Sequence, residues 1–278
     1  MIALVLILSH LLGDFVFQSS KMAENKESNT LYALQHTFIH LILSFLLMFI
    51  VMLIDYRFDV FSWQSITAAL ITGISHFLID RLLKPLLTKL YKGNYFFIFI
   101  TDQIMHFLVI VIAVMILTPN YWFGNLVASL YGNGALNKEH IIGLSLAAIF
   151  ILLTSFTGQL ISKLFMSLNQ ENDVESKEIK IITKESKGVK EEIRESIIYP
   201  TVEVNDYGKW IGYFERIIIF TLIILGAYEG ILIVVALKTF SRFKQLNEKT
   251  FVEKYLLGTL FSVMMALLLG VLFGLIIK

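Results

Sequence analysis

Four pairs of ionisable residues share one spacing in this sequence, and imidazole or carboxylate groups paired in this way can bind metal ions. The pairs are His10/Asp14, His36/His40, His76/Asp80 and Asp102/His106. The two members of each pair stand four positions apart, which places both side chains on one face of a helix, one turn apart. Five of the six histidines belong to these pairs, and His140 does not. The spacing predicts four helical faces that each present two possible metal ligands.

The ligand types narrow the choice of metal. The sequence contains no cysteine, so thiolate ligands and disulfides are excluded. Neutral imidazoles and carboxylates suit zinc above all, and they also bind manganese or iron. Eight such groups exceed the needs of one tetrahedral zinc ion. We therefore expect two or three ions, or one ion with an outer layer of carboxylates.

The composition places these pairs in a membrane protein. Hydrophobic residues make up 56% of the 278 and charged residues 16%, which is more apolar surface than a soluble domain can cover. Seven apolar runs approach the length of a membrane-spanning helix, near residues 2–17, 31–54, 64–80, 95–117, 140–166, 211–237 and 251–277. The first run is short, but it lacks the basic start and the small-residue cleavage motif of a signal peptide. The sequence predicts an all-α integral membrane protein with about seven transmembrane helices.

The four pairs lie at matching depths in their predicted helices. The pairs of the first and third runs lie at the C-terminal end, and those of the second and fourth runs lie near the N-terminal end. In an up-down-up-down bundle these four ends share one side of the membrane. Ionisable groups inside membrane helices are costly and usually functional. The sequence therefore predicts an N-terminal four-helix bundle with one shallow metal pocket.

A polar stretch divides the chain. Between Glu171 and Glu195 the sequence has eight acidic and six basic residues, which is too many for a membrane span. We interpret residues 169–209 as a solvated cytoplasmic insertion without chemistry of its own. The other predicted parts are the metal-binding four-helix unit (residues 1–130), a fifth membrane helix (residues 131–168) and C-terminal membrane helices (residues 210–278).

Several stretches resemble a known group of membrane proteins. Repeated His-x-x-x-Asp pairs, with HLLGDF near the start, look like the bacterial integral-membrane families labelled membrane-bound metal-dependent hydrolases, and most like an uncharacterised relative of them. WIGYFERIIIF, ALKTFSRF and EKYLLGTLFS resemble the second half of that relative. The resemblance implies distant kinship with the superfamily of zinc-dependent phospholipase C and single-strand nucleases, in which such pairs hold zinc ions that cleave phosphoesters. The first and third pairs match this motif, the fourth reverses it, and the second has histidine in place of the acid.

The chemistry expected from such a centre is hydrolysis. A bound divalent metal lowers the pKa of water and polarises a phosphoryl or carbonyl oxygen. An aspartate that is not used as a ligand can accept a proton from the attacking water, and Asp14 and Asp102 are the candidates. The sequence thus predicts a metal-dependent hydrolase that cleaves a phosphoester or related bond in a lipid or membrane-associated substrate. The net charge of +1 gives no indication of a nucleic-acid partner.

Five further polar residues are candidates for contacts with the substrate. Gln18 lies one turn beyond the first pair, on the same face. Arg81 and Lys84 follow the third span on the metal side and suit an anionic head group, although orientation in the membrane explains them equally well. Glu229 and Lys238 lie within and at the end of the sixth apolar run. For them the alternatives are a buried hydrogen bond and interfacial snorkelling.

Basic residues also predict the orientation. Six of them occupy the connectors after the first and third spans: Lys21, Lys26, Arg81, Lys84, Lys89 and Lys92. The connectors on the other side carry Arg57 and Lys138. The positive-inside rule then places the metal pocket at the cytoplasmic leaflet of a bacterial inner membrane. A second basic connector, from Lys238 to Lys254, conflicts with this orientation. Either the N-terminal bias dominates, or residues 217–237 form a re-entrant pair instead of one span.

Two other functions use the same residues. A cation transporter or channel-like protein would coordinate a permeating ion or relay protons with the His/Asp set, although transport sites usually lie near the midplane of the membrane. A haem protein would use two histidines as axial ligands. The paired aspartates argue against haem, and the shallow position of the pocket favours hydrolysis over transport.

Overall fold

The fold is built from helices alone in the part of the chain that the structure describes. The computed structural model covers residues 1–56, 58–117, 138–173 and 207–277. Five of its helices are long and apolar enough to cross a membrane: Thr30–Ile54, Trp63–Leu90, Tyr95–Leu117, Lys138–Leu168 and Phe251–Ile277. Ile2–Phe15 is a shorter apolar helix. The all-helical class is confirmed, and the described residues hold five long candidate spans where the sequence predicts seven.

Six α-helices form the N-terminal half within the described residues 1–56 and 58–117. They are α1 (Ile2–Phe15), α2 (Ser20–Asn25), α3 (Thr30–Asp55), α4 (Trp63–Leu78), α5 (Lys84–Leu90) and α6 (Tyr95–Leu117). Side-chain caps fix where the two long helices begin, because the first backbone N–H groups of a helix lack partners within it. Asn29 accepts a hydrogen bond from the Leu31 amide at the start of α3, and Ser62 accepts one from Ser65 at the start of α4.

Residues 138–173 and 207–277, the described part of the C-terminal half, form five α-helices. They are α7 (Lys138–Ile151), α8 (Thr157–Asp173), α9 (Tyr207–Ile224), α10 (Glu229–Ser241) and α11 (Lys249–Ile277). The predicted fifth span corresponds to α7 and α8 together. Most of the predicted insertion, residues 174–206, lies outside the described residues, so its expected solvation stays a prediction.

Two π-helical turns interrupt otherwise continuous helices. Ile79–Leu83 joins α4 to α5, and Leu152–Phe156 joins α7 to α8. A π turn changes the direction of the side chains that follow and is frequent at functional sites. The first turn contains Asp80, one of the predicted ligands. In the second turn, the backbone carbonyls of Leu153 and Thr154 accept hydrogen bonds from the side chain of Arg216 on α9.

Helix α1 lies at the centre of the N-terminal half, packed against α3, α6 and α7. The apolar core below the ionisable pairs includes the fully buried side chains of Leu6 and Met48 with Ala68 and Ile110. In a membrane, such close packing between helices supplies most of the association energy, because lipid tails are as apolar as the core. This core fixes the four helices that carry the pairs.

The helix ends that carry the pairs lie together, and we call this end of the bundle the pair side. Helix α8 also ends there, because Ser167 accepts a hydrogen bond from the Phe96 amide at the start of α6. Helix α9 runs antiparallel to α7 and α8, since Tyr213 lies against Gly158 and Arg216 donates to the Leu153 carbonyl. It follows that α9 begins on the pair side.

The predicted sixth span is a helical hairpin in the structure. The chain turns at Gly226, whose φ of 71° lies in the left-handed region that favours glycine. Helix α10 then folds back along α9: Gly230 packs against Leu222, and Lys238 donates to Glu215 at 2.5 Å. The single span expected over residues 211–237 is therefore replaced by two short helices, and the interrupted alternative is the one observed.

The hairpin changes the predicted topology. Because α10 returns to the pair side, α11 begins there and runs parallel to α9, as the Arg216–Ser262 hydrogen bond and the contact of Ile223 with Gly270 show. The basic connector from Lys238 to Lys254 then lies on the same side as the ionisable pairs. The charge conflict found in the sequence therefore disappears.

Candidate metal centre

All eight residues of the four pairs meet in one cluster on the pair side. Helices α1, α3 and α6 contribute one pair each, and α4 with its π turn contributes the fourth. None of the eight is more than 8% exposed. The cluster consists of His10, Asp14, His36, His40, His76, Asp80, Asp102 and His106. The four pairs, which the sequence places at matching helix depths, thus lie together in the tertiary structure.

The carboxylate of Asp14 is the hub of one half of the cluster. Its Oδ1 atom lies 3.1 Å from His36 Nε2, 3.2 Å from His40 Nε2 and 3.6 Å from His76 Nε2. The Nε2 atoms of His36 and His40 are 3.3 Å apart. Ligands at zinc distances of about 2.0–2.1 Å are separated by about 3.4 Å in a tetrahedron. The spacing of these atoms therefore matches that of ligands around a small cation.

Asp80 connects this half to the second one. Its Oδ2 atom lies 3.4 Å from His76 Nε2, and its Oδ1 atom lies 4.0 Å from His106 Nε2. His106 Nε2 is also 3.5 Å from Asp102 Oδ1. The π turn places the Asp80 carboxylate between two histidines of different helices. Asp80 is therefore placed to contribute to a metal site together with either histidine.

Several ring nitrogens and oxygens of the cluster have no hydrogen-bond partner within the described part of the chain. Among these buried atoms are His10 Nε2, His76 Nε2, Asp80 Oδ1, Asp102 Oδ1 and His106 Nε2. Each such atom costs about 1–3 kcal/mol relative to a hydrogen-bonded one. Because these atoms face one another, a cation can bind several of them at once. The donor set is therefore of the kind that a metal ion stabilises.

Among the residues that the structure describes, three sets of donors are compact enough to hold an ion, with ligand atoms within 4.8 Å of one another. They are His10/Asp14/His40/His76, His36/His76/Asp80 and Asp80/Asp102/His106. The first and third sets share no residue, whereas the second set shares His76 with the first and Asp80 with the third. Two ions can therefore be held at the same time, one by four ligands and one by three.

Lys26 is a buried neighbour of the cluster, although the sequence indicates only a role in membrane orientation for it. Its side chain is 3% exposed, and its ammonium group donates to Asp80 at 2.8 Å. The same nitrogen lies 3.1 Å from His36 Nε2. The connector between α1 and α3 is short, so it must pass close to Asp14 and His36. That proximity in sequence is the signal that could have pointed to Lys26.

Lys84 and Gln103 also contact the carboxylates of the cluster. Lys84 Nζ lies 3.6 Å from Asp102 Oδ2 and 3.5 Å from Glu27 Oε1. Gln103 donates to Asp14 Oδ2 at 3.0 Å, and a longer contact of 3.5 Å reaches Asp102 Oδ2. A glutamine directly after a predicted ligand, inside an apolar helix, was the sequence signal for this contact.

The charges of the cluster do not balance among these side chains. Asp14, Asp80 and Asp102 bring three negative charges, and Lys26 and Lys84 bring two positive ones, which leaves one excess negative charge with neutral histidines. A buried uncompensated charge is strongly unfavourable. A cation held by these groups would supply the missing positive charge.

Gly13 allows α1 to approach α3 closely enough for the cluster to form. A Cβ atom at this position would lie 2.3 Å from His40 Cε1, well inside van der Waals contact. Close packing between the two helices therefore requires a glycine at this position of the HLLGDF stretch. It lets the His40 ring lie directly against the backbone of the helix that carries His10 and Asp14.

A small cavity of about 20 Å³ adjoins the cluster on the side that faces the apolar core of the bundle. His10, His40, His76 and His106 line it together with polar residues such as Ser9. A volume above about 10–15 Å³ with several polar partners suffices for one water molecule. The four imidazoles thus have room for one water-sized species between them.

The predicted substrate contacts separate into two groups. Gln18 is half-buried with its amide 3.4 Å from His36 Nε2, and Lys84 lies against Asp102, so both adjoin the cluster. Arg81 donates to the Glu27 carbonyl and to the Thr30 hydroxyl, which ties the π turn to the start of α3.

The other two predicted contacts lie elsewhere. Glu229 is exposed in the first turn of α10, and Lys238 pairs with Glu215 at the far end of that helix. The structure does not bring either of them to the metal cluster. Lys238 instead lines a separate cavity between the C-terminal helices.

Comparison with known families gives one finding. A family described as "Protein of unknown function (DUF3307)" matches residues 2–130. The matched region contains all eight cluster residues together with Lys26, Lys84 and Gln103, and it ends before α7. Comparisons with curated proteins and with solved structures gave no match. The chain is thus similar to an uncharacterised family over the part that carries the cluster.

Proposed function

We propose that this protein is a metal-dependent membrane hydrolase that cleaves a phosphoester or related bond in a lipid or membrane-associated substrate. The observation that carries this proposal is the presence of two disjoint donor sets, one with four ligands and one with three. Structural zinc sites use four protein ligands, whereas catalytic sites use three and keep one position for water or substrate. The set Asp80/Asp102/His106 has the second form.

Zinc is the proposed metal, with two ions per chain, and manganese or iron are the alternatives. The donors are imidazoles and carboxylates, and within the four-ligand set Asp14 Oδ1 lies 3.2 Å from His40 Nε2 and 3.6 Å from His76 Nε2, which suits a small tetrahedral ion. A divalent ion in the three-ligand set supplies Lewis-acid activation of water and of a phosphoryl or carbonyl oxygen. The same arrangement agrees with the resemblance of the His-x-x-x-Asp pairs to zinc-dependent phosphoesterases.

The protein side chains have distinct roles in this proposal. The Oδ2 atom of Asp102 faces Lys84 and Gln103, and the Oδ1 atom faces His106. With Oδ1 as a ligand, Oδ2 remains to accept a proton from the attacking water. Asp14 accepts from Gln103 in the same way, but its Oδ1 atom is surrounded by histidines. Asp102 is therefore the preferred general base of the two predicted aspartates.

The three-ligand set is accessible from the outer end of the pair side, where the helices end. Lys84 and Glu27 have side chains that are 20% and 34% exposed, whereas the aspartates below them are buried. A phosphate group that reaches Lys84 would therefore lie next to Asp102. The connectors with several basic residues, after α1, around α5 and from Lys238 to Lys254, lie on this side, so the positive-inside rule favours a cytoplasmic position for it. We propose that the substrate enters from the cytoplasmic leaflet.

The proposal is tested by measuring metal and activity on the same purified protein. We expect about two zinc ions per chain by elemental analysis, since two disjoint donor sets are present, and hydrolysis of an anionic phospholipid in mixed micelles. His106→Ala should lower both metal content and activity. His140→Ala is the matched control, because His140 lies on α7 outside the cluster. Less than one ion per chain in the wild type would exclude the proposal.

A transporter or proton relay remains the second candidate, and one observation favours it. The small cavity at His10, His40, His76 and His106 reaches Ser9, whose hydroxyl lies 2.9 Å from that of Ser44. Polar groups thus continue from the cluster towards the middle of α1. Flux of protons or zinc into proteoliposomes, with no phospholipid product, would favour this function over hydrolysis.

A further inference from the structure

A large cavity lies between helices α8, α9, α10 and α11, outside the metal cluster. Its volume is about 880 Å³, which is within the range of small-molecule binding sites. The hairpin of α9 and α10 lines it together with α8 and the first half of α11. It opens on the pair side, where Lys209, Arg242 and Lys254 line it.

The charge on the wall of this cavity is strongly positive. Five cationic side chains line it: Lys209, Arg216, Lys238, Arg242 and Lys254. Glu215 is the acidic residue among the described lining residues, and it is already engaged by Lys238 at 2.5 Å. Five positive charges less one negative charge leave an excess of four. A cavity of this kind between membrane helices attracts anionic head groups.

Arg216 is the central feature of the cavity wall. Its side chain is 3% exposed, and its guanidinium donates to the Leu153 and Thr154 carbonyls and to the Ser262 hydroxyl. All three acceptors are neutral. Within the described residues no carboxylate lies within salt-bridge distance of this guanidinium, and its nearest ring is Tyr213 at 5.5 Å. A buried guanidinium without a salt-bridged carboxylate is costly, and its planar donor geometry suits phosphate.

The remaining wall suits the apolar part of an amphiphile. Ile211, Ile218 and Leu237 line the cavity and are also among the exposed apolar side chains of the lipid-facing surface. Gly158 and Gly212 line it as well, so the backbones of α8 and α9 border it directly. A ligand with a charged head and an apolar tail would bury both parts here.

We propose that this cavity binds a phosphate-bearing anion, with its phosphate at Arg216 and the neighbouring basic groups of α10 and α11. The phosphate belongs either to the head group of an anionic lipid or to a soluble phosphate compound. This inference does not depend on the metal cluster, because none of the cluster residues lines the cavity. It assigns a ligand to the C-terminal helices, which lie beyond the region of family similarity.

Binding can be measured on the full chain in a neutral detergent, by native mass spectrometry and by titration with fluorescent phosphatidylglycerol. Phosphatidylcholine is the lipid control, because its head group has no net charge. A second titration uses inorganic phosphate, alone and as a competitor. Preferential binding of phosphatidylglycerol that phosphate displaces supports a lipid source, and binding of phosphate without the lipid supports a soluble one.

The variants separate the cavity from general surface charge. Arg242→Gln with Lys254→Gln removes two charges from the wall and should weaken binding by about tenfold or more, at about 1 kcal/mol per basic residue. Lys244→Gln with Lys249→Gln removes the same charge from exposed positions that do not line the cavity, and binding should stay within about twofold. These positions are not buried, so folding is preserved in both pairs.

Arg216→Lys and Arg216→Gln complete the series, because they test the group at the centre of the wall. The lysine variant keeps the charge but loses the planar donors, so it should bind more weakly than wild type and more strongly than the glutamine variant. Equal losses in the cavity pair and the surface pair would overturn the proposal. So would equal binding of the two lipids combined with no binding of phosphate.

Discussion

The Nδ1 atoms of His76 and His106 lie 3.0 Å apart, so one of the two rings donates its proton to the other. If His76 donates, the lone pair of its Nε2 atom faces Asp80 at 3.4 Å. If His106 donates, its own Nε2 lone pair faces Asp102 at 3.5 Å. With both rings neutral, either tautomer directs a lone pair at a carboxylate oxygen. A cation between these atoms removes the repulsion, because it binds both.

The two donor sets that share no residue predict two metal ions that bind independently. His10→Ala removes a ligand of the four-ligand set only, and Asp102→Asn removes one of the three-ligand set only. Each loss should exceed the roughly 10–100-fold drop in affinity that follows loss of an outer-sphere partner. We expect each single variant to retain one ion per chain and the double variant to retain none, measured by elemental analysis after dialysis. Complete metal loss in either single variant would indicate one shared ion instead.

Gly13→Ala should disrupt the centre through packing alone. The added methyl group would lie 2.3 Å from His40, so the ring or the helix must move. Overpacking of this kind costs about 1–3 kcal/mol. We expect weaker zinc binding and a lower midpoint of thermal unfolding, both followed in detergent. Gly143→Ala is the matched control, because a Cβ atom there meets nothing within 4 Å.

Lys26→Met should destabilise the metal-free protein more than the metal-bound one. Without the ammonium group, the buried carboxylate of Asp80 loses its closest positive charge, at a cost of about 3–5 kcal/mol. A bound cation restores that charge, so zinc should recover most of the lost thermal stability. Lys21→Met, at an exposed position of the same connector, should have little effect. If zinc stabilised wild type and K26M to the same extent, the charge-compensating role of Lys26 would be refuted.

The helical hairpin predicts which connectors share a side of the membrane. Because the chain has no cysteine, single cysteines can be introduced without a background. Ser28→Cys and Ser241→Cys should react with an impermeant maleimide from the same side, and Phe58→Cys from the opposite side, since all three positions are exposed. A single span over residues 211–237 would instead place Ser241 opposite Ser28. Labelling of right-side-out and inverted vesicles distinguishes the two.

The local pattern accounts for most of what the sequence could predict. Residues four apart on a helix share a face whatever the tertiary structure. The pairs His10/Asp14 and His76/Asp80 could therefore be predicted from their spacing alone. Their depth within successive apolar runs was enough to place all four pairs at one end of a bundle. The helical class followed from composition, because only helices satisfy the backbone within such apolar runs.

Other features depend on contacts between residues distant in sequence. Lys26 reads as an ordinary basic residue of a connector until Asp80, far along the chain, is placed beside it. The turn at Gly226 could not be distinguished from a glycine within a span, because hydropathy is the same in both cases. Only the contacts of Lys238 with Glu215 and of Gly230 with Leu222 decide the hairpin.

The sequence by itself determined that this is a helical membrane protein with eight possible ligands on one side, because residue type, spacing and apolar length are local properties. The tertiary structure decided how those ligands divide into donor sets, since that depends on the π turn at Asp80 and on the close approach at Gly13. It also decided that Arg216 lies buried without a salt bridge to a carboxylate of the described residues, and so revealed the basic cavity. Side-chain positions across helix interfaces are set by packing between helices, which no local pattern encodes.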